Sequence, residues 1–107
     1  MKNQVCTEEQ MNELINLGVN IDGASCFRNN SLIERVFTIP DMLDRMPSEI
    51  NGYDLIIYKS TDGWFSGYIN YESSKLLYNL GVKCSILRDA VYLIFKELAI
   101  MGKLIEK

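Results

Sequence analysis

Residues 53–71 constrain this chain most: two β-rich runs meet at Ser60-Thr61-Asp62-Gly63, and Asp-Gly is a favoured hairpin pair. With Asp62-Gly63 as a two-residue loop, Thr61 stands opposite Trp64, Lys59 opposite Ser66, Ile57 opposite Tyr68 and Leu55 opposite Asn70. Side chains alternate across a strand, so Ile56, Tyr58, Phe65, Gly67, Ile69 and Tyr71 share the other face. That second set is the more uniformly apolar and is expected in the core. Tyr53, Leu55, Ile57, Trp64 and Tyr68 then form an open aromatic face interleaved with Lys59, Thr61, Ser66 and Asn70. A third strand over residues 75–80 completes a three-stranded antiparallel meander.

Helical signals flank this sheet. Thr7-Glu8-Glu9-Gln10 fits a capping box, Met11, Leu14 and Ile15 share one helical face, and Gly18 closes the helix. Residues 24–28 and 32–37 are apolar enough for a short irregular hairpin, with Asn29-Asn30-Ser31 as its turn. Thr38 caps a second short helix carrying Ile39, Met42, Leu43 and Met46, with Pro40 in its first turn and Pro47 beyond its end. The longest helix opens at Ser85 and runs to about Met101 before Gly102. Leu87, Ala90, Val91, Ile94, Leu98 and Met101 make its core stripe, while Ile86, Leu93 and Ile100 recur on a separate ridge. A helix apolar on two sides is buried on two sides, by its own chain or by another. The expected architecture is α+β: a small three-stranded antiparallel meander, a long C-terminal helix and two short N-terminal helices, as one domain over residues 1–107.

Composition supplies exclusions. The chain of 107 residues has no histidine, so His-dependent triads and most zinc sites are out. Cys6, Cys26 and Cys84 form no close pair and read as free thiols in a reducing compartment. The start of the sequence has no apolar signal region, and no apolar run approaches a membrane span, so the expected location is cytoplasmic and no membrane partner is expected. Eleven Lys and Arg against 14 Asp and Glu give a net charge of −3, which argues against a nucleic-acid partner. The charge is uneven: residues 1–54 carry nine acids and four bases, net −5, and residues 55–107 five acids and seven bases, net +2.

No catalytic residue, metal site or cofactor is expected. Asp41 and Asp44, three apart with Arg45 beside them, are the nearest approach to paired carboxylates and read as a solvated helix face. The candidate binding residues are Tyr53, Trp64 and Tyr68 on the open sheet face and Ile86, Leu93 and Ile100 on the helix ridge. Exposed Trp and Tyr suit the centre of a protein interface, with a partner protein or a second copy as occupant. The same rings, flanked by Lys59 and Lys75, also suit stacking on single-stranded bases.

The opening Val5-Cys6-Thr7-Glu8-Glu9-Gln10, residues 14–22 with Ala24-Ser25, the segment Phe37-Thr38-Ile39-Pro40-Asp41-Met42-Leu43 and the hairpin Asp62-Gly63-Trp64 resemble small proteins carried by prophages and mobile elements of anaerobic gut bacteria. The resemblance implies an accessory protein that acts by contacting a host or phage protein, and it transfers no catalytic residue. The strand, Asp-Gly-aromatic turn, strand, strand and helix order of residues 55–98 is also similar to HicB-type antitoxins, which implies a sheet-plus-helix layout.

Overall fold

The computed structural model describes residues 3–29 and 32–105. The chain order is α1 (Glu8–Asn16), β1 (Ser25–Asn29), β2 (Leu32–Val36), α2 (Ile39–Asp44), β3 (Glu49–Ile50), β4 (Tyr53–Ser60), β5 (Gly63–Asn70), β6 (Lys75–Cys84) and α3 (Leu87–Ile100). The fold is mixed α+β with antiparallel pairing throughout the described residues and a long C-terminal helix.

The sheet is larger than the expected meander. It has four strands in the order β3-β4-β5-β6, beside a separate two-stranded hairpin of β1 and β2. The extra strand comes from Asn51-Gly52, whose φ angles of 52° and 85° are those of a mirror-image turn, folding Ile50 back opposite Tyr53. The turn expected at residues 29–31 includes positions 30 and 31, which lie outside the described residues.

The main hairpin turns one residue early. Ser60 pairs with Gly63 and Leu55 with Tyr68, so the loop is Thr61-Asp62 and not Asp62-Gly63. Neither loop residue has a positive φ; Gly63, at +148°, takes up the twist mismatch as the first residue of β5.

The partition into two faces holds, but the covered face is the other one. Tyr68 is fully buried, and Tyr53, Leu55, Ile57, Leu80 and Val82 pack on the core beneath the helices. Tyr58 and Tyr71, expected in the core, are 50% and 67% exposed. The reason lies in β6: Leu77, Leu80 and Val82 add apolar bulk to the Tyr68 side, whereas Gly81 pairs with Gly67 on the other side and leaves a helix nothing to pack on. Helix α3 lies across β5 and β6 with Val91, Ile94, Phe95 and Leu98 wholly buried, and Phe95 meets Phe37 at 5.3 Å between ring centres.

Both N-terminal helices carry complete capping boxes at Thr7 and Thr38. The expected opening at Ser85 is not used: Ile86 is the N-cap, with no side-chain cap hydrogen bond, and α3 begins at Leu87.

One core feature has no compensating bond. The Ser66 hydroxyl is fully buried and meets no partner among the described residues. An orphaned hydroxyl forfeits the hydrogen bonds it made in water. Ser66→Ala is therefore expected to stabilise the protein by about 1 kcal/mol, a rise of several degrees in a thermal melt; a fall in Tm would show that the hydroxyl is bonded after all.

Candidate functional site

The six residues singled out from sequence are not brought together. Tyr68 is buried, with its hydroxyl donating to the Pro47 carbonyl at 2.6 Å, and burial pushes its pKa above the ordinary tyrosine range. Tyr53 is half-buried against the core. Trp64 is half-buried at the end of the sheet beneath Lys59, whose Nζ lies 5.8 Å from the ring, in a cleft it shares with Ile39, Ile86 and Leu87. The open aromatic face of Tyr53, Trp64 and Tyr68 thus does not exist: it is the side the helices cover. Nor is the ridge of Ile86, Leu93 and Ile100 one surface. Ile86 caps α3, Leu93 packs on the core and Ile100 is 56% exposed. Helix α1 is tied to α3 by Gln10 and Glu13 and shares with Leu93 the groove between the two helices.

What remains open is the opposite side of the sheet. The ladders of β4, β5 and β6 arrange it as three rows: Asp54, Ile69, Leu76; then Ile56, Gly67, Gly81; then Tyr58, Phe65, Lys83. Seven of these nine positions are apolar or glycine, with an acid and a base at diagonally opposite corners. Phe65 stacks on Tyr58 at 5.2 Å. The ring of Phe65 also reaches over the glycine pair: a Cβ on Gly67 would lie 3.2 Å from Phe65 Cζ, and one on Gly81 2.9 Å from it. The two glycines let an aromatic ring lie flat on the backbone, which makes this face a smooth apolar shelf. Ile56, Phe65, Ile69 and Leu76 are half-buried, while Asp54, Tyr58 and Lys83 are exposed.

A second, polar feature runs along α1 and α3, where Gln10, Glu13, Arg88, Asp89, Tyr92 and Lys96 line a groove of about 490 Å³. Gln10 Nε2 donates to Asp89 Oδ1 at 2.8 Å, Arg88 Nε donates to the same oxygen at 2.9 Å, and the Tyr92 hydroxyl donates to Glu13 at 2.7 Å. Lys96 lies 3.5 Å from the other Glu13 oxygen. The Tyr92 hydrogen bond, helped by Lys96, holds the Glu13 carboxyl below its usual range. Burial, with Glu13 beside it, holds the Tyr92 phenol above its own. Cys84 is raised by burial and by Asp89. The hydrogen bonds and the ion pair of this cluster fasten α1 to α3.

The remaining candidates are similarly occupied. Asp41 accepts from both the backbone N–H and the hydroxyl of Ser25, at 3.0 and 2.8 Å, and from the Thr38 N–H. Burial works to raise its pKa, but these three donors outweigh it and hold the carboxyl low. Asp41 thus ties the base of the β1–β2 hairpin to α2, while Asp44 is exposed. Cys6 is buried, with its thiol pushed up to about 12 chiefly by burial, and Cys26 is exposed. Among the described residues no three His, Cys, Asp or Glu side chains come together as metal ligands, and no helix is long and apolar enough to cross a membrane.

No protein-family model, curated protein or solved structure matches this chain.

The sheet face was missed because two strands alone do not say which side a third will favour. The legible signal was glycine: Gly67 belongs to the set expected inside, and Gly81, just past the expected third strand, pairs with it.

Proposed function

We propose that the chain is a non-enzymatic protein-interaction module, of the accessory type found in prophages and mobile elements, that docks a protein on the outer face of β4, β5 and β6. The observation that supports this reading is the uncovered shelf of Ile56, Tyr58, Phe65 and Ile69, with Tyr58 half exposed at its margin. Apolar surface gathered on one face and rimmed by charge is what interfaces use, and exposed tyrosine is a preferred anchor.

Tyr58→Glu tests it, because the side chain is exposed and its loss leaves the core intact. Tagged wild-type protein is expected to retain a stoichiometric protein, a host protein or an untagged copy of itself, after nuclease treatment, and the variant to bind it more than about 30-fold more weakly. Equal retention by a folded variant would remove this face as the docking site. Retention that disappears with nuclease would point to nucleic acid, although the rings expected to stack on bases lie on the covered side.

The succession of β4, β5, β6 and α3 favours a HicB-like antitoxin as the second reading. In that case the retained protein is a toxin, and its expression alone arrests growth.

A further inference from the structure

We infer that the protein bound by this outer sheet face is a second copy of the same chain, held face to face about a two-fold axis. The inference rests on reading that face as an interface.

The first support is the placement of charge. Asp54 and Lys83 occupy opposite corners of the shelf, two strands and two rows apart. Rows on one face are about 7 Å apart and strands about 5 Å apart, which puts the corners roughly 17 Å from each other. They cannot pair within one chain. Asp54 has no ion-pair partner among the described residues, and Lys83 is engaged only with the loop residue Asp62, at 3.1 Å and with both side chains substantially exposed. A two-fold axis lying in the interface, across the Asp54–Lys83 diagonal, brings each Asp54 over the partner's Lys83 and each Lys83 over the partner's Asp54. An isologous interface requires such self-complementarity: one acid and one base related by the operator.

The second support is shape. The same operator sets Leu76, Gly67 and Tyr58 along the axis, where each meets its own copy, with the glycine at the centre of the grid letting the two sheets approach between the apolar corners. It sets Ile69 over the partner's Gly81, where the Phe65 ring and the Leu76 side chain fill the space above the glycine, so that apolar meets apolar between sheets about 10 Å apart. The third is that the sheet's edges are blunted against the alternative, pairing by edge. Strand β3 has two residues, and β6 is broken by an irregularity opposite Tyr68, where Tyr78 takes a φ of 49°. Short and bulged edges resist strand addition and leave the face as the surface for association.

Charge reversal in sedimentation velocity decides the matter. Wild type is expected to form a two-chain species. Asp54→Lys and Lys83→Glu, each placing like charges opposite one another, are each expected to weaken it by more than about tenfold. The double variant, which restores opposite charges in reversed order, is expected to recover the dimer. Both positions of this comparison are exposed, so melts should be close to wild type. A wild-type chain that stays single across the concentration range overturns the inference, as does a dimer indifferent to both single changes or a double variant no better than either. If the wild type is single while Tyr58→Glu still loses a host protein, self-association falls and the interface stands; if Tyr58→Glu changes neither, both fall.

Discussion

Gly63→Ala is expected to cost about 3 kcal/mol, enough to lower the melting temperature of a chain this size by well over ten degrees. Two independent effects act at this position. Gly63 has a φ of +148°, a conformation that side chains rarely adopt, and a Cβ placed there would lie 2.7 Å from the carbonyl oxygen of Cys84 and 3.2 Å from its carbon. The obstruction is backbone, so no rotamer change relieves it. Relief requires either that β6 move away from β5 or that the hairpin change register, and a register change is opposed by the burial of Tyr68 opposite Leu55. Thr61→Ala, one step outside the ladder, is the control and is expected to change stability by less than about 0.5 kcal/mol. Thermal melts of the two variants check the contrast. A Gly63→Ala protein as stable as wild type would mean that the end of β6 does not close against this turn.

Arg45→Met is the second large effect, with an expected loss of about 2–3 kcal/mol. Arg45 is 8% exposed and has no carboxylate partner among the described residues. Its Nη1 donates to the Asn20 carbonyl at 2.6 Å and its Nε to the Ile105 carbonyl at 3.3 Å, while the guanidinium lies 5.7 Å from the centre of the Phe37 ring. Those carbonyls follow the C-terminal ends of α1 and α3, and neither helix has a basic residue in its last turn. One arginine thus supplies the positive charge that two helix dipoles favour, and it fastens two chain segments to α2. Methionine fills the space but leaves both carbonyls without this donor. Arg45→Lys keeps the charge without the planar fork and is expected to recover only part of the loss. Chemical denaturation reads both; equal stability of Met and Arg at this position would show that the segments after α1 and α3 hold without it.

Much of the fold was legible because it rests on local chemistry. The capping boxes at Thr7 and Thr38, the glycine after α1 and the core stripe of α3 each depend on residues within a turn or two of one another, and each is present in the structure. Strand β3 was legible too, in Asn51-Gly52, a pair whose preference for mirror-image turns is as strong as that of Asp62-Gly63. Two residues nonetheless make a weak strand signal beside the eight of β4. In β4 and β5 the sequence separated Ile56, Tyr58, Phe65, Gly67 and Ile69 from Leu55, Ile57, Ser66 and Tyr68, since alternation along a strand is a local property.

Which of those two sets faces water could not be read in the same way, because the choice belongs to the partners. Tyr68 is inside because Pro47 accepts its hydroxyl and because β6 adds Leu80 and Val82 to its side, positions 21, 12 and 14 residues away in the chain. The pairing of Gly67 with Gly81, which flattens the outer face, and the diagonal placement of Asp54 and Lys83 depend equally on the register of three strands and on the irregularity in β6. The sequence by itself determined the elements, their caps and the division of each strand into two sides, because those follow from covalent geometry and nearest neighbours. Only the tertiary structure decided which side is covered, where Arg45 finds its carbonyls and which charges share a face, because burial is a contest among distant segments for the same space.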